Sequence, residues 1–133
     1  MNIYALRLSP HQDLRVEIET LCQHQKWSAA WIVTCVGSLQ QATIRLAGAE
    51  TKTKFTGPFE ITSLVGTMSP DGVHLHINIS DNTGNVFGGH LCHNSIIYTT
   101  AEIVIGYSRD IQFSRNMDPQ TGYEELTVEF CKK

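Results

Sequence analysis

At 133 residues, 41 % hydrophobic and 17 % charged, with no low-complexity run, the chain has the size and composition of one folded domain, residues 1–133. Ten Lys and Arg against thirteen Asp and Glu leave a net charge of −3, which argues against the dense basic face needed to grip nucleic acid through its phosphates. No segment approaches the roughly 18 consecutive apolar residues that would span a bilayer, and the opening "MNIYALRLSP" has neither a basic leader nor an apolar core, so the expectation is a soluble, cytoplasmic protein that does not engage a membrane.

The first predicted element is a strand in "NIYALRL". "SPHQDL" then carries helix-start chemistry, with Asp13 as N-cap, and Leu14, Ile18, Leu21 and Cys22 recur at the spacing of one helix face running to about Lys26. After this single helix the texture becomes β-branched and aromatic: "SAAWIVTCVG", "ATIRLA", "FEITSLVGTM", "GVHLHINIS", "NVFGGHLC", "SIIYTTAEIVIGY" and "YEELTVEF". Seven or eight closely spaced strands and one helix give an α+β domain, a mostly antiparallel sheet. One helix cannot cover such a sheet, so self-association is expected. Cys22, Cys35, Cys92 and Cys131 lie far apart with no C-x-x-C pair, which reads as free, mostly buried thiols in a reducing compartment.

The segment "GVHLHINISDNTGNVFGGHL", Gly72 to Leu91, holds three of the six histidines. In a strand, Val73, Leu75, Ile77 and Ile79 share one face and His74, His76, Asn78 and Ser80 the other. "DNTG" then reads as a turn with Asp81 facing Asn85. That register pairs Ile79 with Phe87, Ile77 with Gly89 and Leu75 with Leu91, and sets His76 opposite His90 and His74 opposite Cys92. Directly opposed residues have Cβ atoms about 5 Å apart, within reach of a shared ion about 2.1 Å from each nitrogen. An H-x-H pair alone equally suits an ordinary polar strand face; His90 is what completes a facial triad. His74, His76 and His90 thus predict a site for a divalent transition metal, zinc first, with one coordination position open to a small molecule. Gly88 and Gly89 mark a place where something approaches the backbone closely.

Glu102, inside the apolar strand "TTAEIVIGY", and Glu60, in "GPFEITSL", are candidate catalytic carboxylates, and Arg7 is a possible ion-pair partner for Glu60. His11, His24 and His93 have no partner spacing and read as ordinary surface or turn residues.

The histidine and Gly-Gly segment resembles the signature of the PPC domain, which follows AT-hooks in plants and stands alone in bacteria and archaea. "LRLSPHQDL", "AAWIVTCVGSLQQATIRLA", "GPFEITSLVGTM" and "AEIVIGY" extend the likeness over nearly the whole chain. The resemblance implies a homotrimer with a fold similar to acetolactate decarboxylase, whose zinc is held by an H-x-H pair and a later histidine, the pattern of His74, His76 and His90. It therefore implies a binding or regulatory module with a metal site or, alternatively, a metal-dependent enzyme on a small oxygenated substrate. The family label also suggests DNA binding. This sequence, however, has no R-G-R-P core of an AT-hook, and it has Pro58 where plant members typically carry Arg.

Overall fold

The strand patterns assemble, in a computed structural model describing residues 1–131, into eight strands and one helix. In chain order they are β1 (Asn2–Leu8), α1 (Leu14–Gln25), β2 (Ala29–Arg45), β3 (Thr53–Ser69), β4 (Gly72–Ser80), β5 (Val86–Leu91), β6 (Ile96–Ser108), β7 (Ile111–Asp118) and β8 (Tyr123–Phe130). β1 to β6 form one antiparallel sheet in the order β1-β6-β2-β3-β4-β5, and β7 and β8 form a separate two-stranded hairpin. β5 also turns back onto β2, pairing Leu91 with Ile44 and His90 with Arg45, so β2, β3, β4 and β5 close on themselves. No helix is long and apolar enough to cross a membrane among the described residues.

The helix forms where the sequence places it. Asp13 Oδ1 accepts from the backbone N–H of Arg15 (3.0 Å) and Val16 (3.2 Å), satisfying two of the orphan donors of the first turn. Lys26 closes the other end in the left-handed region. Leu14, Ile18 and Cys22 enter the core, where they join Leu39, Ile44, Met68, Leu75, Ile77, Ile103 and Ile105. Backbone bonds from His11 to Ile97, Leu14 to Ser95 and Ile97 to Gln12 tie the helix entry to the start of β6.

Two expectations need correction. "SAAWIVTCVG" and "ATIRLA" are not separate strands but one strand of 17 residues, β2, whose register against β3 shifts between Leu39 and Gln41; a bulge keeps a long strand continuous where the hydrophobic alternation lapses. β7, "IQFSRNMD", was not among the predicted runs, because its polar composition carries no strand signal. It is a strand through its ladder to β8, Ile111 to Phe130 through Asp118 to Tyr123.

β4 is the element that matters most for the site. Val73, Leu75, Ile77 and Ile79 are all buried, and His74, His76, Asn78 and Ser80 lie on the opposite face. Shifting this strand by one residue would bring four large apolar side chains to the surface, each worth about 1.5–3 kcal/mol when buried, so burial fixes which face carries the histidines.

Candidate metal centre

The hairpin turn forms as expected. Asp81 and Asn85 face each other, with a 3.0 Å backbone bond from Asp81 N to Asn85 O, and Gly84 takes a φ of +86°. The ladder then runs Ser80 to Val86, Ile79 to Phe87, Ile77 to Gly89 and His76 to His90. The expected continuation, Leu75 to Leu91 and His74 to Cys92, does not form. At His90 the strand leaves β4 for β2: Leu91 pairs with Ile44, and Cys92 N donates to Thr43 O. His90 therefore sits at a branch, opposite His76 on one side and Arg45 on the other.

The glycines explain how three strands meet so closely. A Cβ on Gly88 would lie 2.0 Å from Ile77 O, and one on Gly89 would lie 2.6 Å from Arg45 O. What approaches the backbone here is therefore the neighbouring strands themselves. Gly66 on β3 has a φ of +155° and sits between Val65 and Thr67, the partners of His76 and His74; its Cβ would lie 2.1 Å from His74 O.

The three imidazoles converge. One nitrogen from each of His74, His76 and His90 lies within 4.8 Å of the others, and His74 Nε2 is 3.2 Å from His76 Nε2. Two nitrogens on the edge of a tetrahedron around an ion about 2.1 Å away are separated by roughly 3.4 Å, so the H-x-H pair already has the needed spacing. Arg15 Nη1 lies 3.2 Å from His90 Nε2, whereas His90 Nδ1 is buried with no hydrogen-bond partner. A buried polar nitrogen without a partner is unusual in a folded protein. Its ring joins those of His74 and His76 in a donor cluster of the size and chemistry that a divalent transition metal takes.

The surroundings of His74 and His90 disfavour their protonated forms. Burial pushes the His90 imidazole down to about 4, helped by Arg15, His74, Arg45 and His76. His74 is lowered first by burial, then by Arg115 and His76, with Glu125 opposing and Arg15 adding. Neutral imidazoles offer lone pairs to a metal, and protonated ones do not.

Sequence reasoning missed the surroundings. Arg15 reaches from α1 to the carbonyls of Leu91 and Val73 and pairs with Glu19 at 2.7 Å, and Glu19 also meets His93 at 2.7 Å. Burial alone would raise the Glu19 carboxyl, but the hydrogen bonds from His93 and Arg15, with their charges, hold it below its usual value. Arg115 comes from β7, donating to Thr67 Oγ1 at 3.0 Å, beside His74. The faint sequence signal was Arg15 itself: a cation in the first turn of a helix opposes the helix dipole and implies a reason outside the helix. An open cleft of about 1100 Å³ reaches His74 and His90, with Arg15, Arg45 and Arg115 among its lining residues.

The candidate carboxylates are not brought here. Glu102 is exposed on β6, opposite Arg7 and Val36, and Glu60 is exposed on β3, opposite Ser80, four residues along β4 from His76. Four residues of strand are about 13 Å. Glu102 is therefore not a buried carboxylate in need of a partner, and Arg7 donates to Thr100 Oγ1 instead of pairing with Glu60.

Residues 1–108 match the family model of the Plants and Prokaryotes Conserved (PCC) domain. The chain is 46 % identical over 129 residues to the bifunctional protein GlmU of a Synechococcus strain, a match covering 97 % of this chain and 20 % of that protein. It thus spans about a fifth of the length of the curated relatives it matches. A hypothetical protein from Salmonella superposes with a TM-score of 0.95 at 40 % identity, covering 97 % of this chain and 94 % of that one. A protein from Archaeoglobus fulgidus, described as metal-containing, superposes at 0.79 with 27 % identity, covering 96 % and 94 %. The α-acetolactate decarboxylase of Bacillus subtilis shares the fold alone, at a TM-score of 0.54 and 14 % identity, over 79 % of this chain and 52 % of that one.

Proposed function

The chain belongs to the Plants and Prokaryotes Conserved domain family, and on that premise we propose that it is a homotrimeric binding or regulatory module built as one domain over residues 1–133. In this reading His74, His76 and His90 hold one divalent transition-metal ion, zinc first, with a coordination position open to a small molecule. The observation that carries the proposal is the convergence of three imidazoles within 4.8 Å at the edge of an open cleft. The Archaeoglobus relative described as metal-containing supports it. When bound, the ion would supply a Lewis acid and a fixed point for an oxygen ligand.

A binding role draws support from the two candidate carboxylates, since neither Glu60 nor Glu102 stands beside the triad as an acid or base, and from Glu19, which shares the cleft but is held by Arg15 and His93. The match to about a fifth of a longer bifunctional protein also suits an accessory module. Assembly is supported by the exposed Ile3, Val36, Val65 and Tyr98, apolar side chains on strands of the main sheet. DNA binding has less support: the net charge is −3, and the arginines that do gather flank the histidines in a cleft shared with carboxylates.

The test is elemental analysis of the purified, untagged protein beside a His76→Ala, His90→Ala double variant, each with its mass in solution. About one transition-metal ion per chain in the wild type, lost in the variant, and a mass of about three chains are expected. A wild type that takes up no metal after reloading would overturn the metal centre. A monomer at working concentration would overturn the trimer.

A further inference from the structure

We infer that the histidine triad takes its metal together with a small oxyanion, held between the ion's open position and a cluster of guanidinium groups from Arg15, Arg45 and Arg115. The inference rests on the metal reading above and adds the chemical class of the ligand.

Three elements deliver these cations to one place. Arg45 is the direct cross-strand partner of His90, so the two side chains leave the sheet on the same face, as does that of His76 in the next strand. Arg15 comes from the helix to within 3.2 Å of His90 Nε2. Arg115 comes from the hairpin and bonds Thr67, the strand partner of His74. All three line the cleft that His74 and His90 open into.

The acidic residues of the cleft do not cancel this cluster at the triad. Glu19 is occupied by Arg15 and His93, and Asp71 Oδ2 accepts from the backbone N–H of Arg115. Glu50, Glu124 and Glu125 also line the cleft, and Glu125 acts on His74 against two arginines. Arg45, among the described residues, has no ion pair and no side-chain hydrogen bond.

A divalent cation added to the triad in this setting meets repulsion from the arginines. An anion on the open position removes that repulsion and gives the guanidinium groups a partner. The planar fork of arginine suits oxygens in pairs, those of a carboxylate or a phosphate, and one further oxygen can face the metal. Metal and oxyanion therefore bind with positive coupling, and the coupling is reciprocal: each tightens the other by the same factor.

The test uses cobalt(II) as a visible reporter on the whole chain, titrated alone and then with acetate, with inorganic phosphate, and with chloride as control. Cobalt affinity is expected to rise about tenfold or more with one of the two oxyanions, and the more effective one identifies carboxylate or phosphate as the source. In Arg45→Ala, a change at an exposed residue with no bond to lose, the protein should still take up cobalt while most of that gain disappears. Arg109→Ala, at the end of β6, should retain it. Cobalt affinity indifferent to both oxyanions, or a gain undiminished in Arg45→Ala, would overturn the inference and leave the metal centre standing. Failure to take up cobalt at all would overturn the metal centre and this inference with it.

Discussion

Nη1 of Arg15 lies 3.2 Å from Nε2 of His90, joining the first turn of the helix to the strand that bridges β4 and β2. The same guanidinium donates to the carbonyls of Leu91 and Val73 and pairs with Glu19, and the side chain is only 16 % exposed. One residue therefore both fastens α1 to the sheet and sets a positive charge against a candidate metal ligand. Those two roles oppose each other.

Replacing Arg15 with Met should separate them. The fold should weaken by on the order of 2–3 kcal/mol, since charge-assisted hydrogen bonds to Leu91 and Val73 are lost. Metal affinity should move the other way, several-fold tighter, because a cation leaves the neighbourhood of His90. Urea unfolding of the metal-free protein and competition with a chromophoric chelator read the two effects. A variant weakened in both would mean that Arg15 serves only to position His90.

Gly66→Ala addresses the histidine pair from behind. The added Cβ would sit 2.1 Å from His74 O at a φ of +155°, so β3 and β4 have to part where their partners are His74 and His76. A loss of about 1–3 kcal/mol is expected from strain at such a position. Metal content should fall with it. Gly48→Ala, where nothing lies within 4 Å of the new Cβ although φ is +68°, provides a backbone-strain control without the clash.

Asp13→Ala should cost more than an ordinary cap. Loss of the bonds to Arg15 N and Val16 N alone is worth about 0.5–2 kcal/mol. Asp13 Oδ2 also accepts from Asn94 N, in the turn between β5 and β6, so its removal loosens the helix entry and that turn together. A thermal midpoint no lower than that of a Glu17→Ala control would contradict this account.

The hairpin below the histidines has its own pH dependence. Asp81 is held down to about 2, chiefly by the Thr83 hydroxyl and then by Thr83 N–H, with Asn85 adding further bonds. A depressed carboxyl contributes stability in full above its unfolded value near 4 and loses it as pH falls through the folded value near 2. Amide resonances of residues 81–85 should therefore titrate with a midpoint near pH 2, and Asp81→Asn should remove that titration. A midpoint near 4 in the wild type would show that these bonds are not formed in solution.

The legible parts of the sequence were those governed by local periodicity. Val73, Leu75, Ile77 and Ile79 alternate so strictly that the face carrying His74 and His76 follows, and the turn at Asp81–Asn85 then brings His90 opposite His76. Asp13 and the helix it caps were legible for the same reason. Where long-range contact decides, the signal fails. Nothing near His90 announces that the strand departs toward Ile44 and Arg45, and β7 has no apolar pattern of its own. Arg15 and Arg115 lie 75 residues before and 25 after His90 in sequence, and only the tertiary fold carries them to it. Glu60 and Glu102 show the reverse error: an apolar sequence neighbourhood suggested burial, yet in a strand the neighbours on either side point to the other face.

Arg115 stands on a hairpin that begins after residue 108, where the family match ends, whereas every histidine of the triad lies inside it. The frame for the ion and one of the charges that would select its companion are thus separable pieces of polypeptide. Grafting a different β7–β8 arm onto the same six strands would retune ligand preference without disturbing the register that holds His76 against His90. On that reading selectivity would be an exchangeable attachment, and metal capture would belong to the chassis.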